Sequence, residues 1–294
     1  MLITAPENTS RFLGGRVTDL VSKVQDAEFY VGQSYKRAII LKEDFSKISV
    51  LAPDIDNLDN DFSRLGILQA FYRFLGLHLC RQGIFLLHAS AAMYQGKLII
   101  FGDNGGNLGK TLSSVEAGLV SGAYLADEFL FWDKANNIII SDPNIPIHLR
   151  LEVRDHLKAV HGIEQNKEFV DSIELGFSAV NEMKPDAVCY ANYREGAEMI
   201  KLNPDSAEEF ARVTFSAHIA KLLNPALDRF RFSEESDTIV PVKTGGSAIL
   251  SEISEDLRSA VEEAARDFSQ LIPSYRLSAS NPCDLTRFLN ELKL

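Results

Sequence analysis

Residues 98–111 read LIIFGDNGGNLGKT: an apolar run leads into a glycine-rich segment that ends in Gly109-Lys110-Thr111. An apolar strand, a glycine loop and a helix start in this order are typical of a phosphate-binding P-loop. Glycines let successive backbone N–H groups converge on phosphate oxygens, and the helix start adds the positive end of its dipole. In such a loop Lys110 neutralises the β and γ phosphates, and Thr111 offers its hydroxyl to Mg²⁺.

The loop departs from the standard spacing G-x-x-x-x-G-K-[ST]. The residue five positions before Gly109 is Asn104, and Gly102 lies seven positions before it, so the loop is two residues longer. The alternative interpretation is therefore a surface loop with a chance Gly-Lys-Thr. We expect nucleotide binding, because an ordinary strand-to-helix turn does not require this composition. The expected binding residues are Gly105, Gly106, Asn107, Leu108, Gly109, Lys110 and Thr111.

An acidic pair, Asp127 and Glu128, follows the loop by one predicted helix, residues 112–122, and falls within a predicted strand, residues 123–132. If that strand lies beside the loop strand, one carboxylate can hold Mg²⁺ and another can accept a proton from an attacking hydroxyl. Neighbouring strand residues point to opposite faces, so only one of them faces the nucleotide unless the strand ends or bulges there. The alternative is a solvated strand end.

Six histidines are present, and one of them, His88, lies in an apolar strand, residues 84–93. A lone histidine in such a strand is more often a core residue than a catalytic one. The other five show no metal-ligand spacing such as H-E-x-x-H, so the sequence assigns them no chemistry. These five are His78, His148, His156, His161 and His218.

The remaining pattern predicts an α/β fold with a mixed sheet, because strands are added by hairpins rather than by helical crossovers. A small β-rich region is expected over 1–60, and a catalytic domain with a helical C-terminal part over 61–294. Periodicity and turn residues predict these further elements: a small sheet or hairpin of strands 38–41 and 48–51, a helix over 62–83, strands 97–101, 138–140 and 145–151, a hairpin around 193–196, a helix capped by Asp205 or Ser206, and a helix over 254–271.

Charge and composition narrow the class of protein. The net charge of −11 disfavours a nucleic-acid partner, since that binding needs clustered Lys and Arg. Three scattered cysteines form no C-x-x-C pair, which indicates neither a disulfide framework nor a zinc site. The first residues lack the apolar stretch of a signal peptide, and no run of about 18 apolar residues occurs. We therefore expect a cytoplasmic protein with no membrane partner.

Four ordered motifs within residues 84–133 resemble the core of the HPr serine kinase family, one of the phosphoenolpyruvate carboxykinase-like kinases. They are LHAS at 87–90, the strand at 97–101, the glycine loop, and YLADE at 124–128. The resemblance implies a P-loop core of that type, with ATP and Mg²⁺ as cofactors. It places Gly109, Lys110 and Thr111 on the phosphates and the metal, and His88 and Asp127 at the phosphoryl-transfer site.

By the same resemblance Asp127 is the base that activates a serine-like hydroxyl, and Thr111 and Glu128 are the expected metal ligands. Glu128 stands where the bifunctional HPr kinases usually carry a second Asp, and the family's Glu-Ile-Arg-Gly type of run does not follow. The acceptor is therefore expected to be something other than HPr.

The expected function is that of an ATP-dependent kinase, which transfers the γ-phosphoryl group to a hydroxyl of a peptide, protein or small molecule. One alternative is a nucleotide-binding switch or pseudokinase with little transfer. The presence of Asp127 argues against it, because a binding-only site needs no base. A second alternative is a non-enzymatic interaction protein in which 102–111 is only a loop. A homo-oligomeric assembly stays open.

Overall fold

The structure is a computed structural model that describes residues 1–7, 13, 17–34, 38–42, 45–52, 61–102, 109–142, 145–193, 197–223, 229–233, 238–241, 255–279 and 284–292. The strands of this described part are β1 Leu2–Thr4, β2 Glu28–Gln33, β3 Ala38–Lys42, β4 Lys47–Ala52, β5 Ile84–Tyr94, β6 Lys97–Gly102, β7 Ala123–Ala126, β8 Phe129–Asp133, β9 Ile138–Ser141, β10 Ile147–His148, β11 Phe169–Val170, β12 Ser178–Ala179, β13 Glu182–Met183, β14 Ala187–Asn192, β15 Ala197–Lys201, β16 Arg229–Ser233, β17 Thr238–Pro241 and β18 Ser274–Ala279.

The α-helices of the same part are α1 Thr18–Lys23, α2 Asp61–Leu79, α3 Gly109–Ser121, α4 Leu151–His156, α5 Pro204–Leu223, α6 Glu255–Leu271 and α7 Asp284–Glu291. Short 3₁₀ turns cover Cys80–Gln82 and Ser172–Leu175, and a π-helical turn covers Leu157–His161. The chain divides into two compact units, one formed by residues 1–84 and 218–260 and the other by 85–217 and 261–294.

The first unit contains a sheet of six described strands in the order β1-β2-β4-β3-β16-β17. Strands β3 and β4 are antiparallel neighbours, which confirms the pairing predicted for 38–41 and 48–51. Strands β16 and β17 come from the distant second segment of this unit, and the sequence did not predict that β16 pairs with β3 and β17 with β16. Phe29 on β2 packs edge-on against Phe71 of α2 at 5.2 Å between ring centroids, and both side chains are fully buried.

The second unit contains a larger mixed sheet, whose main order among the described strands is β13-β9-β8-β5-β6-β14-β18-β15. Strands β5 and β6 form an antiparallel hairpin, while β6, β14 and β18 run parallel. The predicted mixed α/β architecture is therefore confirmed at this level. Strand β7 is off the main order and pairs with β5 and β12.

Apolar side chains fill the second unit. A buried cluster joins α3 to the sheet and includes Ile99, Phe101 and Val115. Trp132, the single tryptophan of the chain, contacts Phe268 at 5.0 Å between ring centroids. Both of these side chains are fully buried, so tryptophan fluorescence reports on the packing of this unit.

Three local predictions were wrong. Only Ile147–His148 of the predicted strand 145–151 is a strand, and a helix starts at Leu151. Strands β14 and β15 form no hairpin, because β18 lies between them and pairs with both. Helix α5 begins one residue after Asn203, whose side-chain oxygen accepts a bond of 2.9 Å from the backbone N–H of Ser206, so the cap is neither Asp205 nor Ser206.

The two compact units do not meet at the expected boundary near residue 60, because the first unit also includes residues 61–84 and 218–260. A catalytic domain over 61–294 and a small region over 1–60 stay predictions. No helix within the described ranges has the length and apolar character needed to cross a bilayer.

Candidate functional site

The first turn of α3 carries the end of the glycine-rich motif. Strand β6 ends at Gly102 and α3 begins at Gly109, followed by Lys110 and Thr111. Residues 103–108 lie outside the described residues, and with them the binding residues expected at Gly105, Gly106, Asn107 and Leu108. The described part of the motif thus consists of a strand end and a helix start.

Gly109 lies against the backbone of the neighbouring strand. A Cβ atom at this position would approach the carbonyl oxygen of Ala191, near the end of β14, to 2.2 Å. At the other end of the motif, a Cβ atom at Gly102 would approach the ring of Tyr190 to 2.4 Å. Both glycines therefore have a packing reason for their lack of a side chain, and this reason holds with or without a ligand.

His88 lies next to the lysine of the motif. In the β5–β6 hairpin Ala89 is paired with Gly102, which puts His88 beside the point where the loop leaves the sheet. The Nζ atom of Lys110 is 3.2 Å from His88 Nε2 and 3.5 Å from His88 Nδ1. The ammonium group can donate to a neutral imidazole nitrogen at this distance. His88 is only 5% exposed, so this contact is formed away from bulk water.

Asp127 is bound to the threonine of the motif. The Thr111 hydroxyl lies 3.1 and 3.2 Å from the two carboxylate oxygens, and the backbone N–H of His148 donates to Oδ2 at 3.3 Å. Asp127 is 3% exposed. Burial raises the pKa of its carboxyl group and the nearby charge of Glu128 raises it further, while Lys110, the His148 N–H and the Thr111 hydroxyl oppose this shift.

The predicted strand 123–132 is broken at the acidic pair. Strand β7 ends at Ala126 and β8 begins at Phe129, and Glu128 has a φ of 73°. This break lets both neighbouring carboxylates reach the same site, whereas a regular strand would point them to opposite faces. Glu128 Oε1 lies 3.5 Å from His88 Nε2. The sequence allowed the strand after α3 to lie beside the loop strand β6. Instead, β5 lies between β6 and β7 and pairs with both.

Four separate segments thus contribute to one cluster: β5, the start of α3, the break after β7, and the backbone at His148. The cluster combines an ammonium group, a hydroxyl, an imidazole and two carboxylates. Lys110 can bind an anionic group such as phosphate, and the oxygen atoms of Thr111, Asp127 and Glu128 suit a hard cation such as Mg²⁺. Of the predicted site residues that are described, His88, Lys110, Thr111, Asp127 and Glu128 belong to it.

Two features of this unit were not identified from the sequence. The His148 contact uses the backbone N–H, which any residue type except proline can supply. The second feature brings His156 and His161, to which the sequence assigned no chemistry, onto the carboxylate of Glu116. The two histidines have four residues between them, a spacing within the H-x₃₋₅-H range of zinc sites, and Glu116 precedes His156 by 40 residues.

Neither a protein-family model nor a curated protein sequence matches the chain significantly.

Proposed function

We propose that the chain is an ATP-dependent kinase with a P-loop core of the phosphoenolpyruvate carboxykinase-like type, acting on a hydroxyl of a peptide, protein or small molecule. One observation carries the proposal. Lys110 and Thr111, from one helix start, each contact a second residue that the motif order pairs with them: His88 at 3.2 Å and Asp127 at 3.1 Å. A surface loop with a chance Gly-Lys-Thr would have no reason to form both contacts with buried partners.

The described residues fit ATP and Mg²⁺ by their chemistry. Lys110 would bind the β and γ phosphates, helped by the N–H groups of the first turn of α3, which have no partner within the helix. Thr111 and Glu128 would hold the metal through oxygen atoms, which Mg²⁺ prefers. When bound, ATP supplies the phosphoryl group and Mg²⁺ neutralises its charge.

Asp127 would accept the proton of the acceptor hydroxyl at one of its carboxylate oxygens. The raised pKa of its carboxyl group makes it a stronger base than an exposed aspartate, which suits this role. His88, between Lys110 and Glu128, would position these two groups of opposite charge. Burial of the cluster excludes water and strengthens each of these interactions.

One contact favours a second candidate, a nucleotide-binding switch with little transfer. Both oxygens of Asp127 lie within 3.2 Å of the Thr111 hydroxyl. This arrangement ties the proposed base to the residue that would hold the metal, a pairing found where an aspartate supports Mg²⁺ in P-loop proteins. The two candidates differ in whether loss of the Asp127 charge affects transfer or binding.

The first experiment measures the melting temperature of the purified protein with and without Mg-ATP, for wild type and Lys110→Ala. A ligand at 100 times its Kd stabilises the native state by about 2.7 kcal/mol, which raises the melting temperature by roughly 5 to 10 °C. We expect this shift in wild type and its loss in Lys110→Ala. Lys97→Ala is the matched control, because Lys97 starts the same strand β6 at the end away from the loop.

A wild type without any shift would exclude the nucleotide site and favour the interaction protein. An equal shift in wild type and Lys110→Ala would show that ATP binds elsewhere. The control is expected to keep the full shift, because Lys97 forms only a weak surface pair with Asp186 at 3.9 Å.

The second experiment separates kinase from switch with Asp127→Asn. If Asp127 is the base, the variant keeps the Mg-ATP shift and forms ADP about 100-fold more slowly, in the range expected for loss of a general base. If Asp127 instead supports the metal, the shift itself falls with the rate. A wild type that binds Mg-ATP but forms no ADP above background, with either water or an added hydroxyl compound as the phosphoryl acceptor, would favour the switch.

A further inference from the structure

A second cluster of ionisable side chains lies within the unit that holds the candidate site. Glu116 is on α3, His156 is the last residue of α4, and His161 is the last residue of the π-helical turn. Oxygen Oε1 of Glu116 lies 2.6 Å from His156 Nε2 and 2.7 Å from His161 Nε2. One ligand atom from each of the three residues lies within 4.8 Å of the others. Two imidazole nitrogens thus converge on a single carboxylate oxygen.

The carboxylate at the centre of this cluster is buried. Glu116 is 3% exposed, whereas the side chains of His156 and His161 are 11% and 28% exposed. A buried carboxylate is costly unless it is paired with a cation or coordinates a metal. Because His161 is the most exposed of the three side chains, the cluster is open to solvent on that side, which leaves an entry path for an ion.

The backbone places the two histidines on one side. Residues five apart in an α-helix are separated by about 140° around the axis. The π-helical turn Leu157–His161 winds more widely, with bonds from residue i to i+5, and so brings His161 close to the direction of His156. Such turns are rare and occur often at functional sites. Here the turn is what makes a shared contact with Glu116 feasible.

We propose that Glu116, His156 and His161 bind one Zn²⁺ ion. Two imidazoles and a carboxylate form a three-residue zinc set that leaves the fourth tetrahedral position to water. Imidazole ligands favour zinc and similar transition metals over Mg²⁺ and Ca²⁺. The site shares α3 with Lys110 and Thr111, so the ion would fasten that helix to residues 151–161. This proposal does not depend on the proposed kinase function.

The present spacing needs only a small adjustment. Ligands about 2.05 Å from a tetrahedral zinc ion are about 3.3 Å apart, so the nitrogens of His156 and His161 would move away from Glu116 Oε1 by about 0.7 and about 0.6 Å. His161 can make this movement because it ends the helical segment and is partly exposed. To ligate, each Nε2 must be the unprotonated nitrogen, so the ring proton moves to Nδ1.

The test is a titration of the full chain with ZnCl₂ by calorimetry after removal of metals with a chelator. We expect one equivalent of Zn²⁺ per chain, and an affinity at least about 100-fold lower in His161→Ala and in Glu116→Gln. The matched control is His148→Ala, which removes an imidazole that pairs with the single carboxylate of Glu168 at 2.8 Å. This control is expected to bind Zn²⁺ as wild type does.

Titration of wild type with Co²⁺ provides a readout that needs no variant, since coordination in this set should produce the absorption bands of tetrahedral cobalt. Equal zinc affinity in wild type, His161→Ala and Glu116→Gln would overturn the proposal, as would a wild type that binds no equivalent of Zn²⁺. These titrations contain no nucleotide, so a failure to bind Zn²⁺ would leave the kinase proposal untouched.

Discussion

Substitution of Gly109 by alanine tests the packing of the helix that carries the candidate site. The new Cβ atom would meet the Ala191 carbonyl oxygen at 2.2 Å, and an ordinary contact begins near 3.4 Å, so the two backbones must separate by about 1.2 Å. Strand β14 has neighbours on both sides, β6 and β18, and cannot move freely. Overpacking of this kind costs about 1 to 3 kcal/mol. Because the clash is with backbone, we expect the upper end, partly offset by up to about 1 kcal/mol from helix propensity.

The expected result is a loss of about 2 kcal/mol in the free energy of unfolding of the second unit. The assay is urea unfolding without nucleotide, followed by the fluorescence of Trp132, which is fully buried in that unit. Gly118→Ala on the same helix is the matched control, because its new Cβ atom meets only side chains, the nearest being the ring of Phe177 at 3.2 Å. We expect this control to stay within about 0.5 kcal/mol of wild type. A Gly109→Ala variant as stable as Gly118→Ala would refute the close approach to Ala191.

Two further predictions concern buried polar groups in this unit. Burial raises the pKa of Asp127 above its ordinary value of 3.8, so the native state holds a proton more tightly than the unfolded state, and wild type loses stability as the pH rises through the raised pKa. The melting temperature of Asp127→Asn, relative to wild type, should therefore increase from about pH 4 to pH 7, and a constant difference would contradict the raised pKa. The hydroxyl of Tyr190 is buried and has no hydrogen-bond partner within the described residues, so Tyr190→Phe should leave stability unchanged or raise it by about 1 kcal/mol. Tyr124→Phe, which removes a hydroxyl contact of 3.2 Å with Ser114, should instead lose about 1 kcal/mol in the same urea assay.

The local parts of the fold could be predicted from the sequence, and the long-range pairing could not. The hairpin of β5 and β6 follows from two apolar runs around a tight turn, in which Gln95 and Gly96 both have positive φ values of 49° and 79°. By contrast, β18 lies between β14 and β15 although it follows them by more than 70 residues in the chain. A strand's own periodicity indicates which face is buried but does not identify its neighbour. The prediction of a hairpin around 193–196 was wrong for this reason, since the sequence did not reveal that β18 is the neighbour of both strands.

The candidate site divides in the same way. Lys110, Thr111 and the acidic pair could be identified from the sequence because they belong to short motifs with a known chemical role. The sequence did not predict whether the strand is interrupted at the acidic pair. A positive φ, such as the 73° of Glu128, is uncommon for residues other than glycine, so a glutamate gives no indication of it. Glu116 was overlooked because it lies in an otherwise apolar stretch of α3. One of its partners, His156, ends α4, and the other, His161, ends a π-helical turn that periodicity does not reveal.

Helix α3 connects the two ionisable clusters, because its polar side chains, of which Ser113, Ser114 and Glu116 are buried, each have a partner on a different segment. Ser113 contacts Tyr193 at 2.6 Å, Ser114 contacts Tyr124, and Thr111 and Glu116 bind the two ionisable clusters. A buried polar group without a partner would cost about 1 to 3 kcal/mol, so rotation or sliding of the helix would break several contacts at once. These contacts are formed by protein groups alone, and they fix the position of the first turn of α3, which carries Lys110 and Thr111. A site that its supporting contacts hold rigid loses little entropy on binding, which supports the proposed nucleotide site at the start of this helix.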